Sequence, residues 1–188
     1  MTGFRKRILA GAVAALAAVA GPASGLTADQ EARLDALFAE LAEPDRDDYP
    51  RIESEIQRIW SQSGSPSMDL LLRRAGEAVA AEDYAAAIGH LSALTDHAPD
   101  FAEGWNARAS AFYMLGEYTL AMADIERTLA LEPRHFGALE GLAAILEEFG
   151  QPQLAREALR AAQEVNPHRP SVTENLERLE RETGAAEL

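Results

Sequence analysis

The chain has 188 residues, 47% apolar and 26% charged, a composition that excludes a disordered chain and leaves enough length for a proper core. Its formal net charge of −14 repels phosphate backbones and argues against nucleic-acid binding. No cysteine is present, so packing must stabilise the fold without disulfides, and no thiol is available for lipid attachment.

Residues 1–23 are expected to be a secretory signal peptide. Arg5, Lys6 and Arg7 form a positive start, and Ile8–Ala20 is an uncharged run of 13 residues that Gly21 and Pro22 break. The run is shorter than the ~20 apolar residues a membrane-spanning helix needs, which argues against the competing reading, a retained anchor. Cleavage is expected after Ala23, with Ala20 and Gly25 as alternatives. It would leave 14 arginines against 31 acids, a formal charge of −17. The mature protein is then periplasmic or secreted, with no stable membrane insertion.

Residues 26–63 read as a helical hairpin that caps the fold. Thr27 with Gln30 is a capping-box pattern, and Leu34, Leu37, Phe38 and Leu41 share one helical face. Pro44 to Asp48 is the turn, and Pro50 suits a first helical turn. Ile52, Ile56, Ile59 and Trp60 form the second apolar stripe. Ser61 to Ser67 is a Gly/Ser/Pro loop.

From here a fixed step takes over. Pro99, Pro133 and Pro167 are each 34 residues apart, as are Ala87, Ala121 and Ala155, and as are Leu91, Ile125 and Leu159. Ala75, Ala109 and Ala143 keep the same step. One helix–turn–helix unit has been copied, at 68–101, 102–135 and 136–169, because a two-helix unit cannot bury its apolar face alone. Small residues such as Ala75 and Ala87 let the helices of a unit approach, and Pro ends each second helix. In the middle unit Asp100 with Glu103 reads as a capping box. Leu115 and Leu120 are expected on the buried faces, and Phe149 likewise in the third unit. Residues 170–188 read as a capping helix and tail, opened by Ser171 and Glu174, with Leu176 and Leu179 inward and fraying expected from Arg181.

These residues resemble the tetratricopeptide repeat family, whose unit has 34 residues in a W-x2-L-G-x2-Y…A-x3-F…P pattern. The middle unit places Trp105, Ala109, Phe112, Ala121, Ile125 and Pro133 in that pattern. The first matches with Leu71, Ala75, Ala87, Leu91 and Pro99, and the third with Leu139, Leu142, Ala143, Ala155, Leu159 and Pro167. The resemblance implies an all-α, right-handed superhelix of three helical hairpins between N- and C-terminal capping helices.

Chemistry-bearing motifs are sparse. His90, His97, His135 and His168 read as loop or surface histidines, since no third ligand stands at metal-like spacing. The acid clusters at Asp45–Asp48 and Glu147–Glu148 lack a calcium loop's alternation and central Gly, and read as solvated charge. No nucleophile elbow or phosphate loop appears, so neither an enzyme nor a cofactor is expected. A hydrolase using a His and an acid is the weakest alternative.

The resemblance also implies a ligand face along the first helices of successive units. Its inward positions here are Leu72, Gly76 and Val79, then Asn106, Ser110 and Tyr113, then Glu140, Ala144 and Glu147. The family's carboxylate clamp is opposed, because Glu140 and Glu147 stand where cations would be needed. The expected partner is therefore a protein or peptide, basic or neutral, drawn to the acidic end and covered by Tyr113. Self-association through open solenoid ends or apolar surfaces is the alternative, so an oligomer is compatible with the sequence.

Overall fold

The computed structural model describes residues 26–44 and 46–185. The expected signal segment at 1–23 and the final residues 186–188 lie outside the described residues. Within them the regular structure is helical: α1 (Ala28–Leu41), α2 (Tyr49–Trp60), α3 (Pro66–Ala80), α4 (Tyr84–His97), α5 (Ala102–Met114), α6 (Tyr118–Leu131), α7 (Phe136–Glu148), α8 (Pro152–Val165) and α9 (Pro170–Ala185). None of the described helices is long and apolar enough to cross a membrane.

Helices α3–α4, α5–α6 and α7–α8 are the three antiparallel units, and they stack as a helical-hairpin superhelix. The 34-residue step explains the packing. Ala75, Ala87, Ala109, Ala121, Ala143 and Ala155 are all at most 2% exposed, so each pair of helices closes on methyl groups. Leu91, Ile125 and Leu159 are buried at the next repeating position and fill the space between pairs. Gly116 (φ 76°) and Gly150 (φ 64°) turn the second and third units, and Glu82 (φ 58°) takes the same left-handed conformation in the first. α9 covers the open side of the third unit with Val172, Leu176 and Leu179.

A buried polar set ties the first two units. Arg108 on α5 grips Asp124 on α6 with two bonds of 2.7 and 2.8 Å, and reaches back to Thr95 on α4 at 2.9 Å. The hydrogen bonds it donates to the Asp124 carboxylate hold the guanidinium pKa above its ordinary value.

Several local expectations need correction. α5 is preceded by Phe101, with no side-chain cap: Asp100 pairs with Arg127, and Glu103 reaches His135 instead. α9 begins at Pro170, so Ser171 lies inside the helix, where its hydroxyl donates to Glu140 at 3.0 Å. α9 also continues past Arg181 to Ala185. Leu115, Leu120 and Phe149 are exposed at the turns within units rather than buried, because their helical faces run past the last residue available to cover them.

The N-terminal hairpin forms as expected, with a reciprocal Thr27–Gln30 capping box and Pro50 in the first turn of α2. Its placement differs from a cap over the open end of the first unit. The apolar face of α1 and α2 closes on Phe136, with Val165 beside it, and no buried residue of the first unit joins that cluster. The hairpin lies across the loops that join the units. Trp60 stacks on His135 with ring centroids 4.2 Å apart, and Tyr49 stacks on His168 at 5.3 Å. Arg134 bonds Asp35 at 2.7 Å and lies over the Phe38 ring. Glu53 accepts from Asn166 and pairs with Arg169.

Candidate binding groove

α5 and α7, the first helices of the second and third units, lie side by side in the stack. Between them runs a groove of about 430 Å³. Five of the expected inward positions converge there: Asn106, Ser110 and Tyr113 from α5, and Glu140 and Ala144 from α7. Helical spacing explains this, since residues 106, 110 and 113 are three and four apart and share one face. Ala109, Met114 and Ile145 supply apolar lining that the sequence reading missed, and Asn175 closes the groove from α9.

The first unit contributes less than expected. Leu72 packs against the small cluster around Ala75 and Leu91. Val79 is 39% exposed but lies outside the groove lining. Gly76 has open space around it. Glu147 does not line the groove either; Arg178 on α9 holds it with bonds of 2.8 and 2.9 Å.

The electrostatics of the acidic end differ from a row of free carboxylates. Glu140 lies 2.6 Å from Arg169 and accepts from Ser171. Glu103 accepts from His135 Nε2 at 3.0 Å and lies 3.3 Å from the Asn106 amide. His135 Nδ1 accepts from the Ala138 N–H, which assigns the proton to Nε2 and makes this histidine the N-cap of α7. His135 is thus a buried structural residue, not a surface one. Burial pushes the Tyr113 phenol above its ordinary pKa, with the nearby Glu148 carboxylate adding to the effect, so the hydroxyl stays protonated. Tyr113 also packs against Tyr118 at 5.3 Å. Among the described residues, no group of three His, Cys, Asp or Glu side chains could hold a metal ion.

The groove therefore presents apolar area beside amide, hydroxyl and paired carboxylate groups, on a scaffold of stacked helical hairpins. This architecture defines a helical-repeat protein. No family model matches the chain. A TPR repeat-containing protein of Rhizobium etli is 41% identical over 136 residues, covering 72% of this chain and 67% of the relative. The chain belongs to the tetratricopeptide repeat family. Solved structures agree on the fold. The Sgt2 TPR domain from Aspergillus fumigatus superposes with a TM-score of 0.62 at 22% identity, covering 65% of this chain and 83% of that one. The first TPR of Spaghetti (RPAP3), bound to an HSP90 peptide, gives 0.62 at 19% identity over 64% and 95%. The Yersinia enterocolitica type III secretion chaperone SycD, in complex with a peptide of the translocator YopD, gives 0.59 at 18% over 63% and 96%.

Proposed function

We propose that this chain is an exported, non-catalytic scaffold that binds an extended segment of a partner protein along the α5–α7 groove. The observation that carries the reading is the convergence of Asn106, Ser110, Tyr113 and Glu140 on one concave groove. Asn106 and Ser110 suit a peptide main chain, and Tyr113 offers the aromatic area that anchors interfaces. The peptide complexes of RPAP3 and SycD support this use of the fold. Export rests on the positive start, short apolar run and small residues of the first 23 positions, and places the protein in the periplasm or outside the cell.

A photoreactive amino acid at position 110, activated in intact cells, tests the binding reading. Crosslinking to a partner protein is expected from this position and not from position 120 on the turn edge. Crosslinks from position 120 alone would overturn it. N-terminal sequencing of the protein recovered from the cell envelope is expected to start between Gly21 and Leu26. An intact Met1 in the membrane fraction would overturn export.

Self-association is kept as a second reading because Leu115, Leu120 and Phe149 stand exposed on one edge, with Tyr118 edge-on to Phe149 at 6.4 Å. Mass that rises with concentration in sedimentation would favour it. A constant monomer mass would remove it.

A further inference from the structure

The groove does not end at the edge of the repeats. Asn106 and Gly137 line it, and both also line a second recess of about 220 Å³. Gln57, Trp60 and Ser61 of the hairpin form one wall of that recess, Arg169 from the loop before α9 another, and Glu103, His135 and Phe136 of the repeats the rest. Gln57 and Ser61 are exposed, so they are available to a ligand. Trp60 is 4% exposed, and its indole N–H has no acceptor among the described residues.

The hairpin is held over this recess by contacts that need no ligand. Trp60 is fixed by its stack on His135, and the other end of α2 by the Glu53 bonds to Asn166 and Arg169. Such a preformed wall avoids the ordering cost that a mobile flap would add to binding. The carboxylates at this surface each already have a partner: Glu103 has His135, Glu140 has Arg169, and Glu148 has the Tyr113 and Tyr118 hydroxyls. A cationic ligand would have to compete with those partners, and an anionic one would meet their charge. An uncharged segment meets neither penalty.

Building on the peptide-binding reading, we propose that the hairpin completes the ligand site, which takes an uncharged extended peptide. One apolar side chain lies between Tyr113 and Ile145, and the next main-chain amides enter the recess beside Gln57 and Trp60. Adjacent helices pack about 8–10 Å apart, so about three extended residues span from one helix to the next.

The probe is a displayed library of random peptides about eight residues long, ~27 Å when extended, selected on the full chain. Selected sequences are expected to be poor in Lys, Arg, Asp and Glu and to share an apolar residue. Tyr113→Ala should weaken binding of the selected peptides about tenfold. Gln57→Trp, which fills the recess from an exposed position, should weaken it at least as much. Ser61→Trp approaches the recess from the loop and serves as a second variant, with circular dichroism to verify folding. Weakening by Tyr113→Ala without an effect of either recess variant would overturn the role of the hairpin while leaving the groove reading intact. Selected sequences rich in one charge would overturn the uncharged class. No selected peptide, or binding indifferent to Tyr113→Ala, would overturn the groove reading together with this inference.

Discussion

The two long edges of the repeat stack share one 34-residue step and end differently. Along one edge run the loops between units, where Glu132 and Asn166, Arg134 and His168, and His135 and Arg169 occupy equivalent positions. The hairpin lies across them, and Glu132, His135 and Asn166 are buried. Along the other edge run the turns within units, where Met114, Leu115, Leu120 and Phe149 are 42–56% exposed. The first edge is polar in sequence and buried in structure, while the second is apolar and open. Residue type at a repeat edge therefore does not decide burial; a matching partner element does. The hairpin matches because Trp60 and Glu53 are seven residues apart, ~10 Å along a helix, close to the spacing of packed helices. One helix can thus reach two successive loops.

The covered edge should be the sensitive one. Phe136 is 1% exposed, lies 5.2 Å from the Trp60 ring, and belongs to the hairpin's cluster. Phe136→Ala is expected to cost ~3–5 kcal/mol in urea unfolding, since it leaves a cavity between hairpin and repeats. A loss under ~1 kcal/mol would mean that the hairpin packs only loosely on the stack.

Next in size is Glu53→Ala. It strips Asn166, which has no solvent exposure, of its side-chain acceptor, and Arg169 of an ion pair. The expected cost is ~1–3 kcal/mol. A cycle with Asn166→Ala tests the coupling: additive losses would show that the two side chains do not act together.

The turns within units give a smaller and signed comparison. Glu82 and Gly150 hold equivalent left-handed positions. A Cβ there costs ~1–2 kcal/mol, while glycine costs ~0.5–1 kcal/mol in unfolded-chain entropy. Gly150→Ala should therefore lower stability, and Glu82→Gly should raise it by under ~1 kcal/mol. Equal signs in thermal unfolding would show that Glu82 gains enough from its surroundings to offset the strain.

The repeat was readable because its signals are local. Alanines, prolines and turn glycines recur at one step, and the helix bounds follow from them. The half of the groove formed by Asn106, Ser110 and Tyr113 was readable for the same reason, since one face of one helix needs no tertiary knowledge. What escaped depends on distant partners. Asp35 and Arg134 are 99 residues apart, and Glu53 and Asn166 are 113 apart. No periodicity reports such pairs. Glu140 and Glu147 read as free acids because their partners lie a helix pair away on Ser171 and Arg178. One signal was available: the positions after each closing Pro change from Asp100 and Phe101 to Arg134 and His135, then to His168 and Arg169. Repeat positions that drop their pattern for hydrogen-bonding side chains mark contact with something outside the repeat.

The smallest effect on stability belongs to the open edge. Leu115 and Leu120 are about half exposed, so replacing each by Gln keeps the aliphatic stem in place and removes little buried area. Leu115→Gln and Leu120→Gln should each change unfolding free energy by no more than ~0.5 kcal/mol, as surface substitutions usually do. Against Phe136→Ala this sets the contrast between the edges at severalfold or more. Combining both substitutions in one chain separates two uses of the bare edge. If it only faces water, solubility should rise and the sedimentation profile should keep its shape. If it is where a second copy docks, two polar groups placed on an apolar contact should shift the profile toward monomer while the melting temperature at low concentration stays the same. A large loss of stability from either single variant would show that these leucines are packed after all, and the comparison of a covered with an open edge would fail.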